Sequence, residues 1–535
     1  MKTIIPVCHV ILTILYFGLL PNARAVVPPP DGGYPNFTTA EGTNAIKNLT
    51  TGAANTGVGW YSLFTNSSGS NNTGVGAATL VLNNADSNTA VGTAALFLNT
   101  TGPQNTALGT ATLVFNDGGE GNTATGAFAL YSNTEGDFNT ANGEYALYFN
   151  DTGERNTAIG DSALYQNAEG SRNTAVGNAA LVLNTGGSDN TGIGASALQS
   201  NNADGNTAVG SGALSDNTSG GSNTAIGRDA LSSNSTSDEN TAIGARALLS
   251  NNGDGNTAVG ADALAVNTSG DGNTAVGDFA LGTNVAGFSN TATGFNALAS
   301  NTSFANTAMG ANALDSNMSG NNNTAIGAST LSNNTTGTGN TALGSGAGFG
   351  VTTANNVICI GVNGADVSNS CYIGNIFDAT SPNGATVLIN NSGRLGTVIS
   401  SSRFKQDIKP MERASETLFS FKPVTFHYRK DIDPAGTSQF GLVAEDVEKI
   451  HPDLVVRDNE GKPYSVRYEQ VNAMLLNEFL KEHRKNEEQE AKIAELKKTI
   501  DTVLARLNEQ NSKSQKVDNQ LEISTTDQYG FASDQ

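Results

Sequence analysis

From Asn55 to about Gly361 the apolar positions recur with neither the 3.6-residue period of a helix nor the alternation of a long strand. One copy reads Asn173-Thr174-Ala175-Val176-Gly177-x-x-Ala180-Leu181-x-x-Asn184-Thr185. Its leading Asn returns at 55, 72, 88, 105, 122, 139, 156, 173, 190, 206, 223, 240, 256, 273, 290, 306, 323, 340 and 356, in steps of 16 or 17 residues. Such a period marks stacked supersecondary units. Helix is a poor choice for the unit, because Gly follows the Val or Ile in nearly every copy and Asn, Thr and Gly are weak helix formers. The unit reads instead as a short Thr-Ala-Val/Ile strand, a Gly turn, a short Ala-Leu stretch and an Asn-Thr-x-Gly loop. That is one coil of a β-solenoid (β-roll) of about nineteen coils. A 16-residue step drops one loop residue without disturbing the stack. At roughly 4.8 Å per coil the array spans roughly 85 Å, and Asn at one corner can form a hydrogen-bonded ladder along it.

The core of such a rod is thin, since each coil offers one Val or Ile, one or two Ala and one Leu. Alternation puts Thr174 and Val176 on one face and Ala175 and Gly177 on the other. The face of small residues admits another backbone, so several chains are expected to share a drier core; a monomeric solenoid is the alternative. Asp86, Glu135 and Asp254 fall at variable loop positions, as on a solvated face. The rod reads as a passive stalk or a carbohydrate- or surface-binding one. Trp60 and Tyr61 read as a cap on the first coil or as a sugar platform.

The pattern changes after the repeat body (55–365). Residues 366–399 read as a narrowing neck, with strands at Tyr372-Ile373-Gly374 and Thr386–Ile389 and a turn at Ser392–Gly396. Residues 400–485 read as a small α+β domain: helix Ala414–Ser420, strand Val424–Tyr428, a strand from Phe440 leading into helix Ala444–Ile450, a stop at Pro452, and a hairpin at Gly461 into Tyr464–Tyr468. One helix then runs from Glu469 to about Gln510. In it Ile493, Leu496, Ile500, Val503 and Leu507 form a heptad seam (coiled coil, 486–511), with Phe479 and Asn486 in register upstream. Residues 26–54 read as a poorly ordered lead-in and 512–535 as a disordered tail.

Composition narrows the function. The chain has 535 residues and a net charge of -21. Residues 26–399 hold 25 acidic and 6 basic side chains, and 400–535 hold 24 and 20. A basic-poor body argues against nucleic acid as a partner. The N-terminus carries Lys2, an apolar run from Ile4 to Leu20 and Ala23-Arg24-Ala25, the layout of a secretory signal peptide (1–25). The run is short, and Pro6 and His9 break it, so no membrane span is expected after its removal and the chain is expected to be secreted or at the cell surface. Cys359 and Cys371 then remain, either bridged or as small buried hydrophobes. His427, His451 and His483 lack partners at metal-ligand spacing, and no cofactor is implied. No copy of the repeat carries paired carboxylates suited to a glycan hydrolase.

At the compositional border stands Ser400-Ser401-Ser402-Arg403-Phe404-Lys405-Gln406-Asp407-Ile408-Lys409-Pro410. A Ser hydroxyl needs a base to become a nucleophile, and a Lys amine five residues on can serve if buried or beside positive charge. Alone the pair is a weak signal, better read as an uncut Ser-rich linker entering a charged strand. Further blocks accompany it: Pro423-Val424-x-Phe426-x-Tyr428, Gly441-Leu442-Val443-Ala444-Glu445-x-Val447-Glu448, Pro452 and Val466-x-Tyr468. Together they resemble the endosialidase-type intramolecular chaperone, a C-terminal autoprotease domain of phage tailspikes and trimeric fibres. The resemblance implies a homotrimer, Ser400 as nucleophile, Lys405 as general base with Arg403 in support, and Ile399–Ser400 as the scissile bond. It departs from the family at Ser401, where Asp is common; Ser401 and Ser402 are competing nucleophiles and Lys409 a competing base. The repeats resemble the heads of trimeric autotransporter adhesins, which have a shorter period; that resemblance implies a trimeric left-handed β-roll.

Overall fold

The computed structural model describes residues 35–390 and 392–526; the signal-peptide reading lies outside the described residues. They form two units, divided between Ala379 and Thr380, and each is treated by itself.

The first unit is the β-solenoid. Each coil contributes one three-residue strand, from β1 (Thr39–Glu41) and β2 (Thr56–Val58) through β9 (Thr174–Val176) and β10 (Thr191–Ile193) to β20 (Ile358–Ile360) and β21 (Cys371–Ile373). These make a 21-stranded sheet, parallel throughout and in one-to-one register, with Thr174 opposite Thr191 and Val176 opposite Ile193. The stack begins at Thr39, inside the segment read as lead-in, and continues to Ile373, inside the segment read as neck.

Which strand face is inside differs from the expectation. Ala175, Ala208, Ala225 and their counterparts are fully buried against the recurring Leu. The Val and Ile side chains point outward: Ile159, Ile193, Ile226 and Ile243 are each about two-fifths exposed. The interior is too narrow for the larger residue. At Gly192, where most coils carry Ala, an added Cβ would stand 3.2 Å from Ala197 O and 3.4 Å from Leu181, so a methyl already fills the space and the branches of a Val would not fit. The rod therefore carries its ladder of small residues within its own core and an apolar Val/Ile ladder on its surface.

Two Asn ladders run through the interior, where sequence suggested one. The leading Asn accepts through Oδ1 from the next coil's backbone, as Asn190 N–H donates to Asn173 (3.0 Å), and its Nδ2 donates to Gly187 O (2.8 Å). The second Asn donates to its predecessor, as Asn184 Nδ2 does to Asn167 Oδ1 (2.8 Å), and to Gly187 O (2.8 Å). Up to Asn340 both ladders are buried, and each amide satisfies groups that would otherwise be costly to bury. In the next coil Val357, not the exposed Asn356, takes the leading position and donates its N–H to Asn340 Oδ1. The 16-residue steps shorten the loop between the two ladders. Asn167 reaches the carbonyl three residues on, whereas Asn201 reaches the carbonyl two residues on. The recurring Leu sits at φ near +50° (Leu181, +53°), an unusual conformation for a bulky residue. It is held by cross-coil bonding: Leu181 N–H donates to Ala197 O at 2.9 Å.

Cys359 is buried and Cys371 exposed, and both are free thiols. Strand register explains this: Cys371 lies opposite Ile358, one residue off Cys359, so the two thiols face opposite sides.

In the second unit, antiparallel β22 (Val387–Ile389) and β23 (Leu395–Thr397) precede the α+β domain. A 3₁₀ helix (Glu412–Ser420) comes next, then β24 (Val424–Phe426) paired with β25 (Gln439–Gly441), and helix α1 (Ala444–Ile450). The unit ends with β26 (Val455–Arg457), β27 (Pro463–Val466) and helix α2 (Tyr468–Thr526). Its core is small: Val447, Leu454, Val455, Val466, Val471 and Met474. Helix α2 extends 16 residues past Gln510, into the segment read as a disordered tail. Val517 and Leu521, both exposed, prolong the heptad spacing of Val503 and Leu507 along it.

Candidate functional site

The stretch Ser400–Pro410 is exposed along its whole length. Ser402–Phe404 forms one 3₁₀ turn, closed by Phe404 N–H to Ser401 O (3.1 Å) and Lys405 N–H to Ser402 O (3.0 Å). Ser400 and Lys405 thus flank a single turn. Among the described residues, neither the Ser400 hydroxyl nor the Lys405 amine takes part in a hydrogen bond, and the turn does not join them. Arg403 stacks its guanidinium over the Phe404 ring at 4.6 Å, a cation–π contact. The competing residues Ser401, Ser402 and Lys409 are equally exposed, as is His427 just after β24. One chain therefore presents the candidate nucleophile and base but supplies no burial for them.

The 3₁₀ helix just beyond this stretch is anchored firmly. Its buried Ser415 donates its hydroxyl to the Glu478 carboxylate and accepts from Asn477 Nδ2 at 2.6 Å. Asn477 also donates to Glu412 O (3.1 Å), and Lys481 Nζ donates to Glu478 (2.7 Å). Lys481 first, with Ser415, holds the Glu478 carboxyl below the usual carboxylate range. This polar clasp ties the start of the domain to α2. Sequence reasoning missed it, because Ser, Asn and Glu more than sixty residues apart carry no pattern.

The motif blocks have structural work to do. Leu442 N–H donates to the Tyr468 hydroxyl (3.0 Å), fixing β25 to the start of α2. A Cβ at Gly441 would crowd that hydroxyl at 3.0 Å, so glycine permits the approach. Val447 and Val466 are core, and Pro452 opens the short turn leading into β26. Arg457 pairs with Glu448 across α1 and β26 at 2.5 Å. Among the described residues no three His, Cys, Asp or Glu side chains gather to hold a metal, and no helix is long and apolar enough to cross a membrane.

The class defined by these features is a parallel β-solenoid carrying a small α+β domain with a long exposed helix. Residues 400–456 match the family model described as chaperone of endosialidase, a family of self-cleaving autoprotease domains, and the match begins at Ser400. No curated protein and no solved structure matches the chain.

Proposed function

We propose that the protein is a secreted homotrimeric fibre whose C-terminal domain directs trimer assembly and then cuts the Ile399–Ser400 bond. The observation that carries the reading is the family match opening at Ser400, immediately after the solenoid and hairpin. Two exposed apolar surfaces support the trimer. One is the Val/Ile ladder of the rod; the other is the α2 seam, where Phe479, Ile493, Leu496, Ile500 and Val503 are all more than half exposed in one chain. Asn486 within that seam suits a register-setting polar position.

In the proposed step, assembly brings neighbouring protomers against Ser400 and Lys405 and partly buries them. Lys405 then takes the Ser400 Oγ proton, and Oγ attacks the Ile399 carbonyl carbon. The C–N bond breaks as the proton passes to the Ser400 nitrogen, leaving an ester. Water hydrolyses the ester, freeing the Ile399 carboxylate and restoring the hydroxyl. Arg403 assists by its positive charge near the base.

The test is N-terminal sequencing of the small fragment, 136 residues long if it begins at Ser400 (535 minus 399). Ser400→Ala and Lys405→Met should each leave one full-length band while trimers still form. A Ser400→Ala chain still cut at this bond, or a fragment starting elsewhere, overturns the assignment. An uncut wild-type trimer would instead show that the domain is retained as a trimerisation cap on a structural or adhesive fibre.

A further inference from the structure

The rod carries an aromatic-lined groove on its surface. Its volume is about 700 Å³, and Phe115, Tyr131, Tyr148, Phe149, Asp151 and Gln166 contribute to its lining. Tyr131 and Tyr148 stack at 4.9 Å, and Tyr148 and Tyr165 at 5.3 Å, one ring per coil. Phe115 and Phe149 meet this column edge-on.

The coil fold does not require these rings. The two residues after the buried Leu are Val114-Phe115, Tyr131-Ser132, Tyr148-Phe149 and Tyr165-Gln166 in four successive coils. In later coils the same positions read Gln199-Ser200, Ser215-Asp216, Ser232-Ser233 and Ala299-Ser300. Leu164 and Leu231, which precede an aromatic and a serine version, sit at the same φ of +52° and are equally buried. The aromatic column is thus an addition that the coil fold does not need; a single stacked pair, Phe288 and Phe304 at 4.9 Å, recurs further along.

Polar groups complete the groove. Asp151 takes the Thr134 hydroxyl on Oδ1, while its Oδ2 and the Gln166 amide have no partner among the described residues. Burial, aided by Tyr131, pushes the Tyr148 phenol up to about 12, so the column stays uncharged. Between residues 26 and 399 the chain has 25 acidic and 6 basic side chains, which disfavours an anionic ligand. Tyr131 is buried, and the Tyr131, Tyr148 and Tyr165 rings cover one another's faces. The groove therefore offers ring edges and the Phe115 and Phe149 rings, beside the Asp151 carboxylate and the Gln166 amide, to the apolar C–H groups and hydroxyls of pyranose sugars. The groove crosses several coils at roughly 4.8 Å each, a step comparable to one sugar of an extended chain.

We infer that the groove spanning the coils from Phe115 to Gln166 binds a neutral, extended oligosaccharide. This rests on the proposed fibre but not on its cleavage, so Ser400→Ala protein serves for the test. Glucan hexamers with β-1,4, β-1,3 and α-1,4 linkage, β-1,4-galactan hexamer and a sialylated oligosaccharide are titrated by saturation-transfer NMR, with oligomeric state followed by sedimentation. At least one neutral hexamer should bind and the sialylated one should not. Gln166→Ala, a surface change, should weaken binding at least fivefold, Tyr148→Ala/Phe149→Ala should abolish it, and Gln199→Ala should leave it unchanged. Binding by none of the neutral probes, or binding indifferent to Gln166→Ala and to the double variant, overturns the inference. So does a double variant that alters oligomeric state without altering binding, which would assign the groove to a second copy of the chain.

Discussion

The two units solve the same burial problem in opposite ways. In the solenoid, each coil's strand, its Leu and its two Asn side chains bond to the coils above and below, and the core of Ala and Leu is continuous within one chain. In the C-terminal unit the core is a handful of residues, and the apolar seam of α2 is left in solvent. The rod's near-identical coils make its weakness plain. Slipping a neighbouring rod by one coil would restore almost the same contacts, so coil sequence specifies register poorly. In the proposed assembly, the unique C-terminal unit, with its polar clasp and Asn486 in the seam, would specify what the rod cannot. A repetitive body and an irregular, partner-hungry end are therefore complementary.

The largest expected effect breaks that complementarity outright. Ile493→Asp/Ile500→Asp places charges in the seam while leaving the domain core untouched. Sedimentation should show loss of the trimer and aggregation of the body, as in a chain lacking Glu469–Gln510. A double variant that still forms soluble, uniform trimers would show that the rod sets its own register.

Within the rod, glycine gives the next largest effect and its own control. Gly177 has φ +135°, and a Cβ there would stand 2.6 Å from the Gly194 carbonyl oxygen. Gly177→Ala should cost roughly 3 kcal/mol or more, from strain and overlap together. At Gly255, with φ +65° and nothing within 4 Å, the same change should cost about 1 kcal/mol. Equal losses on thermal unfolding would mean that coil-to-coil approach is not the constraint.

Asparagine separates ladder from surface in the same manner. Asn184→Ala removes the shorter of two bonds to Asn167 Oδ1, one of two donors to Gly187 O and one acceptor of Asn201 Nδ2, all buried; roughly 1–2 kcal/mol should be lost. Asn178, exposed and bonded to Asp161 of the preceding coil, should tolerate alanine within about 0.5 kcal/mol. Comparable destabilisation by the two would mean that the ladder does not stabilise the rod.

The difference between the units also explains what was legible. Period alone gave the coil, its strand Thr-Ala-Val and its one-to-one register, because stacking identical units leaves no other pairing. Alternation sorted Ala175 from Val176 but not inside from outside; the interior's width decides that, and width depends on how tightly Leu181 and the loop close the coil. The far end of α2 was hidden by Ser, Lys and Gln between sparse apolar positions, although Val517 and Leu521 keep the heptad. At the candidate site, the residues Ser400, Arg403 and Lys405 were legible through their motif and are all exposed. The Ser415–Asn477–Glu478 clasp was not, being made of ordinary residues joined only by the fold.

The smallest expected effect lies at the C-terminal end of the stack, where there are few further coils to bond the last loops. Asp366 does there what backbone carbonyls do elsewhere. Its Oδ1 accepts from the N–H groups of Thr352 (2.9 Å), Thr353 (2.8 Å) and Ala354 (2.7 Å), and its Oδ2 accepts from both Thr hydroxyls. Desolvation opposes ionisation, but the Thr352 hydroxyl and the three backbone N–H groups outweigh it and hold the carboxyl well below the usual carboxylate range. Because the folded value is depressed, this stabilisation is present above the unfolded value of about 3.9 and fades as pH falls below it towards the folded one. Hydrogen exchange at the Thr352–Ala354 amides should accordingly be slow at neutral pH and accelerate locally, relative to mid-rod amides, as the solution is taken below about pH 4. Asp366→Asn keeps one acceptor oxygen and loses the charge, so it should speed exchange at pH 7 and flatten the acid dependence. Since the carboxylate is exposed, the effect should stay local and leave the melting of the mid-rod coils unmoved. An Asp366→Asn chain with wild-type exchange at these amides would show that the terminal coil needs no anionic cap.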